Sequence, residues 1–520
     1  MGRKHVHFLL GFLMVYASQS FSQYSSHEDS LNAFILTPAA SEKPRINGAK
    51  VFGVRPGSPF IYNIPVSGNR PMQFEVKGLP DGLKVNAHTG LISGVLNVRG
   101  IYPVVIRAKN ALGTANRNFK IIVGNDIQLA PAMGWNSWNC WGTKVTQEDV
   151  MHSAKGFLQN KLNEHGWSYI NIDDSWQGVR GGSLNALQPD PDKFSDMWSL
   201  ADSIHAMGLK IGIYSTPWLK SYGGRLGASS ENIKGEKDSL FAIKVKYNRD
   251  SFPYAIGKYS FVKNDARQYA DWGIDYLKYD WAPVKAPETK EMADALKATK
   301  RDIVLSLSNN VLQSLYHNIA EVAPHAQSWR TTKDIEDTWS SMTSIGFDQD
   351  KWAIYSKSGH FINPDMLVIG YVGWGHPHPT RLTADEQYTH ISLWSLLSAP
   401  LLLGCDLDKM DAFTLNLITN DEVIDIDQDA LCKQATRVYF RDSLDVFTKP
   451  LEDGSLAVGL FNRSINKMNA KATWLGLGIK GKMMVRDLWR QKDLGIQSEK
   501  IESEIPPHGV LLVKLIPVNK

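Results

Sequence analysis

Only three cysteines, Cys140, Cys405 and Cys432, occur in 520 residues, and an odd number cannot all pair within one chain. A disulfide scaffold is excluded, so stability has to come from packed cores, for which 43% hydrophobic residues are ample. Charge of one sign is missing as well, since 57 Lys and Arg face 53 Asp and Glu. That balance argues against a nucleic-acid partner. Beyond the opening segment no uninterrupted apolar run approaches about 18 residues, so no membrane insertion is expected. Metal-ligand spacing is absent too: past the opening residues the one His-x-His is His376-Pro377-His378, hemmed by prolines and without a Cys or His cluster.

What is there begins with Arg3 and Lys4, the apolar run Phe8 to Val15 and small residues around Ala17-Ser18 and Ser20-Phe21-Ser22. This pattern predicts a cleavable secretory peptide over residues 1–23. Its loss takes the formal net charge from +4 to +2. With so few cysteines, a secreted chain of this kind suits a periplasm.

Three compositional regions follow. Residues 24–126 comprise a polar linker and a stretch of short apolar strands separated by turn residues. The segments Gly78-Leu79-Pro80-Asp81-Gly82-Leu83 and Thr89-Gly90-Leu91-Ile92-Ser93-Gly94 show the pattern best, and Tyr102 to Asn110 with Phe119 to Val123 complete a β-sandwich. Over 127–434 strands alternate with amphipathic helices, as a parallel α/β fold requires. Strand ends are expected at Met133–Trp135, Tyr169–Asp173, Ile211–Tyr214, Tyr276–Asp280, Ile303–Ser306, Trp329–Thr331, Asp365–Ile369 and Leu401–Leu403. Eight repeats in about 300 residues predict a (β/α)₈ TIM barrel, and no GxGxxG follows the first strand to suggest an open dinucleotide-binding sheet. Residues 435–520 return to short strands and predict a C-terminal antiparallel β-domain.

Barrels of this kind keep their chemistry where strands end. Asp280 closes the strand Tyr276-Leu277-Lys278-Tyr279-Asp280, and Asp334 follows Ser328-Trp329-Arg330-Thr331-Thr332 and opens a helical-looking stretch over 335–345. Two strand-end carboxylates facing one cavity are the minimum for cleaving a glycosidic bond. Lys278 points to the same side of its strand as Asp280, where its cation would hold the acid ionised. Arg330 could hold an acid or a hydroxyl through its planar fork. The pair Asp173-Asp174 has three readings: sugar-hydroxyl acceptors, metal ligands, or caps of the following segment. Trp135 and Trp138 could be core residues or a stacking surface for a pyranose.

The blocks MGWNSWN at Met133, NIDDSW at Asn171, LKIGIYS at Leu209, DWGIDYLKYDW at Asp271, SWRTTKDIEDTW at Ser328, NPDMLVIG at Asn363 and LWSLLSAPLLLGCDL at Leu393 resemble glycoside hydrolase family 27. That is the family of α-galactosidases and α-N-acetylgalactosaminidases. The segment around Gly78–Gly94 is similar to immunoglobulin-like modules of bacterial secreted and surface proteins. The family resemblance implies a retaining mechanism, with Asp280 the nucleophile and Asp334 the acid and base, and carboxyls about 5–5.5 Å apart. It implies a sugar pocket completed by Trp138, Asp173, Asp174, Tyr214, Lys278, Arg330 and Asp365, with Asp173 and Asp174 on the 4- and 6-hydroxyls. Asp334 would carry a raised pKa from the neighbouring Asp280 charge.

The expected substrate is a terminal α-galactoside, with no metal or organic cofactor. Alternatives on the same scaffold are an α-N-acetylgalactosaminidase, a β-L-arabinopyranosidase and a non-catalytic sugar-binding protein; an adhesion protein built on the module would leave the strand-end acids unexplained. Three departures from the family pattern stand out. Ser175 and Ala282 occupy positions where many members carry cysteines. Ser308, in Ser306-Leu307-Ser308-Asn309-Asn310, stands where those members meet the sugar's 2-position. The stretch 215–268 makes the strand-three loop long, with Tyr222, Tyr247, Phe252, Tyr254 and Tyr259; it is expected to form a lid or a wall of the leaving-group subsites, or else a structural insertion that covers the barrel.

Overall fold

The computed structural model describes residues 31–237, 255–308 and 312–518. The secretory segment expected at 1–23 lies outside them, as do Tyr247, Phe252 and Tyr254, and Asn309 and Asn310. Eight strands form one all-parallel sheet: β1 (Met133–Asn136), β2 (Tyr169–Asn171), β3 (Lys210–Ser215), β4 (Tyr276–Asp280), β5 (Val304–Ser308), β6 (Ser328–Arg330), β7 (Phe361–Asn363) and β8 (Leu401–Leu403). Consecutive strands are neighbours, β8 returns to pair with β1, and a parallel bridge between Leu367 and Leu403 closes the ring after β7. This is the expected TIM barrel. Its strands are buried on both faces, which is why Ile211-Gly212-Ile213 and Val304-Leu305 read as continuous apolar runs.

Two expectations shift locally. The seventh strand is Phe361–Asn363 and not Asp365–Ile369. Pro364 has no N–H for a ladder and Asp365 takes a left-handed φ of 83°, so the apolar run after it packs as buried loop. The stretch opened by Asp334 does not become helical until Trp339, capped by the Thr338 side chain on the Ser341 N–H. Before that point backbone groups are bound elsewhere: the Ile335 N–H goes to the Asp365 carboxylate at 2.8 Å.

The N-terminal module is a sandwich of a four-stranded and a three-stranded sheet around Phe60, Ile92, Ile106, Phe119 and Ile121. Its GLPxGL…TGxIxG rhythm has a steric cause. A Cβ on Gly82 would stand 2.4 Å from the Val95 carbonyl oxygen, and one on Gly94 would stand 2.0 Å from that of Gly82. The C-terminal domain is a six-stranded antiparallel sheet faced by the pair Met468–Thr473 and Lys500–Ile505.

The module is seated on the barrel floor, at the N-terminal ends of the strands. Arg55 grips Asp302 through Nε at 2.6 Å and through its backbone N–H at 2.9 Å, and its Nη2 donates to the Arg301 carbonyl at 2.7 Å. Arg301 in turn binds Asp275 at 2.7 Å, immediately before β4. Phe52 of the module and Tyr169 of the barrel flank the Lys210 ammonium at 4.6 and 5.3 Å. Removing one partner of such a half-desolvated grip costs more than a surface pair. Arg55→Ala is expected to lower unfolding stability by about 2–4 kcal/mol, read as a lower denaturant midpoint, with Arg55→Lys recovering only part. An unchanged midpoint would mean the module hangs free.

Candidate active site

At the C-terminal ends of the strands a cavity of about 170 Å³ is lined by Trp138, Asn139, Asp173, Asp174, Tyr214, Tyr222, Lys278, Asp280, Arg330, Asp334, Asp365 and Met366. Every site residue expected from the sequence except Ser308 is therefore gathered in one place. Ser308 ends β5 in register with Asp280 but is buried and is not part of the lining. Asn139 and Met366 were not foreseen; they sit inside the quoted blocks but carry no charge to single them out. Tyr222, named only among the aromatics of the long strand-three loop, lines the cavity.

The segment Met133 to Asn139 divides its labour. Trp135 is fully buried and donates its Nε1–H to the Cys405 carbonyl at 2.8 Å, so it is core. Asn136 donates to Asp173 Oδ2 at 2.9 Å and accepts from the Trp138 N–H at 2.9 Å, while the Ser137 hydroxyl accepts the Asp173 N–H at 2.9 Å. Trp138, half-buried, is left facing the cavity.

Lys278 donates to Asp173 Oδ2 at 2.7 Å. Burial works against its charge, but Asp173 and Asp280 outweigh burial and raise its pKa above the ordinary lysine value. The lysine therefore stays a cation. Lys278 favours the ionised form of Asp280, but burial of that carboxyl is the larger effect. Asp280 is only 6% exposed, and its pKa is pushed up to about 6 by burial, against the pull of Lys278 and with the Asp334 charge adding to the rise. Its Oδ1 and the Tyr214 hydroxyl have no hydrogen-bond partner among the described residues. Two buried polar atoms aimed into one cavity are costly unless a ligand completes them.

Asp174 is held by the strand-three loop. Its Oδ2 accepts the Gly223 N–H at 2.7 Å, its Oδ1 accepts the Ser175 N–H at 2.6 Å, and the Ser221 hydroxyl bonds it as well. Burial still raises its pKa despite these donors. On the opposite wall Arg330 forks between two acids, Nη2 to Asp334 at 2.9 Å and Nη1 to Asp365 at 3.0 Å. Asp334 is open at the mouth, its side chain 61% exposed, whereas that of Asp365 is buried. Among the described residues no cluster of three His, Cys, Asp or Glu could hold a metal ion. The described cysteines are all buried and unbonded.

Carboxylates in this number, with a stacking indole and unpaired donors and acceptors around a cavity for one sugar unit, mark the barrel as a glycoside hydrolase. Comparison with known proteins narrows this. The family model described as alpha galactosidase A matches residues 130–242 and 232–429, its C-terminal β-sandwich companion matches 441–515, and an immunoglobulin-domain model matches 43–124. A Dictyostelium discoideum protein named probable α-galactosidase is 35% identical over 422 residues, 79% of this chain and 97% of its own. An α-galactosidase of Cyamopsis tetragonoloba is 32% identical over 423 residues, 79% of this chain and 93% of its own. A Bacteroides fragilis structure, itself provisionally assigned as an α-galactosidase, superposes with a TM-score of 0.81 at 31% identity, over 93% of this chain and 100% of that one. The chain belongs to the α-galactosidase A family.

The raised Asp280 pKa has a thermodynamic consequence. A carboxyl that holds its proton more tightly folded than unfolded favours the native state below its unfolded pKa, and that advantage is lost as pH rises through about 6. Asp280→Asn, which mimics the protonated acid, is expected to be more stable than the parent at pH 7.5 by up to about 3 kcal/mol. The gain should shrink to nothing below about pH 4. Melting both proteins across pH 4–8 checks it, and a pH-independent difference would contradict it.

Proposed function

We propose that this chain is a retaining exo-α-galactosidase that removes terminal α-linked galactose by double displacement. The observation that carries the reading is the placement of Asp280 and Asp334 on one cavity whose far wall holds a second acid pair, Asp173-Asp174. The α-galactosidases among its relatives support the choice of sugar.

Asp280, ionised, attacks the anomeric carbon as Asp334 gives its proton to the departing glycosidic oxygen. The C1–O bond breaks and a glycosyl ester forms on Asp280. Water then enters from the mouth, loses a proton to Asp334 and attacks C1; the ester breaks and both acids return to their starting states. Arg330 and Asp365 set the orientation of Asp334, Arg330 through its fork and Asp365 through the Ile335 N–H.

The sugar's orientation follows from the same groups. The Asp173 charge contributes to raising the pKa of Asp280, whereas Asp174 is braced from the strand-three loop beyond it. With C1 at Asp280, Asp173 and Lys278 take the 4-hydroxyl and Asp174 the 6-hydroxyl; Tyr214 completes the polar contacts and Trp138 the apolar face. In the same reading residues 1–23 are a secretory peptide that delivers the protein to the periplasm, 24–126 the linker and module, 127–434 the catalytic barrel and 435–520 the C-terminal domain. Among the described residues no helix is long and apolar enough to cross a membrane.

A chromogenic panel of α-galactoside, α-N-acetylgalactosaminide and β-L-arabinopyranoside tests this. The α-galactoside is expected to be turned over best, and Asp280→Asn should lose on the order of 10⁴-fold or more in kcat. NMR of the first-formed sugar should show the α-anomer; a β-anomer would rule out double displacement. Because the nucleophile must be ionised, kcat/KM should fall as pH drops through about 6.

A further inference from the structure

We infer that Tyr222 is a specificity-determining residue, the group that reads the substituent on C5 of the bound pyranose and so separates a hexopyranoside from a pentopyranoside. The assignment rests on the sugar orientation proposed above. Tyr222 lies between two residues that both bond Asp174: the Ser221 hydroxyl on one side and the Gly223 N–H, at 2.7 Å, on the other. The turn is locked against the carboxylate by steric necessity. A Cβ at position 223 would stand 2.4 Å from Ser175 Oγ and 3.1 Å from the Asp174 carboxyl carbon, so only glycine permits the approach.

The ring itself is fixed from behind. It packs edge to face on Trp218 with centroids 5.2 Å apart, and Trp218 is buried. Its phenol is near enough to Tyr214 for the two to influence each other electrostatically. Tyr222 is thus a cavity wall at the Asp174 end. The orientation proposed above puts the 6-hydroxyl on Asp174, so the group that meets this wall is the one on C5. An α-D-galactoside and a β-L-arabinopyranoside share the hydroxyl pattern of the ring and differ only there, by a hydroxymethyl group against a hydrogen. The methylene finds apolar contact on the Tyr222 ring, and its hydroxyl finds the carboxylate that the same turn holds in place. Missing contacts of this size in a shaped pocket change selectivity by about 10- to 200-fold.

The test compares Tyr222→Ala and Tyr222→Phe with the parent. Two readouts are used, kcat/KM on the α-galactoside and the β-L-arabinopyranoside, and equilibrium binding of D-galactose and L-arabinose by calorimetry. In Tyr222→Ala the preference for the six-carbon sugar should fall by about 10-fold or more in both readouts, while Tyr222→Phe, which keeps the ring, retains most of it. An equal loss on both sugars would reduce Tyr222 to a structural wall and overturn the inference, as would improved handling of the galactoside, which would make the ring an obstacle. The binding readout keeps the inference separate from the enzymatic reading. A parent that discriminates the sugars through Tyr222 without turning over any glycoside sinks only the latter, and a parent that neither binds nor hydrolyses sinks both.

Discussion

The ion pair between Lys278 and Asp173 is the interaction around which the site is arranged. It joins β4 to the end of β2 across β3, and Asn136 at the end of β1 donates to the same carboxylate oxygen. The ends of three strands, β1, β2 and β4, are thereby tied together at the point where the cavity opens. The pair also sets the electrostatics around it. A lysine committed to Asp173 offers Asp280 only part of its attraction, and burial of Asp280 is then the larger effect. A carboxyl at Asp280 that keeps its proton up to about pH 6 follows from that division.

Around this pair the other charges sort into two groups. On one wall Asp173 and Asp174 are braced by backbone N–H groups and by side chains from β1, β4 and the strand-three loop. On the other, Arg330 divides itself between an exposed acid and a buried one. The contrast is one of mobility: the first two carboxyls are buried and held still, whereas Asp334 is within reach of solvent. Asp365 accepts a left-handed backbone to reach both Arg330 and the Ile335 N–H, which is local strain placed beside the chemistry.

Much of this was legible in the sequence. Strand-end acids and aromatics on an eightfold alternation point to the barrel and to its working face, because both signals are local: apolar runs for the strands, isolated charges after them. Where the reading slipped, the cause was tertiary. Asp365–Ile369 has the composition of a strand, yet Pro364 and the demand of Arg330 for a carboxylate turn it into loop. The helix expected from Asp334 starts only at Trp339, where the Thr338 side chain caps it, and the residues before it are drawn to Asp365 through the Ile335 N–H. The pairing of Lys278 with Asp173 could not be read from spacing, since the partner lies 105 residues away. Tyr222 was legible only as one aromatic of a long loop, because nothing near it in sequence says that Gly223 must touch Asp174.

The seat of the N-terminal module gives the molecule a direction. Arg55 and Phe52 meet the barrel at its floor, where Asp302 and Lys210 stand, while the cavity opens where the strands finish. Whatever the module is fastened to, the mouth looks the other way. A glycan chain can then present its free end without passing the module.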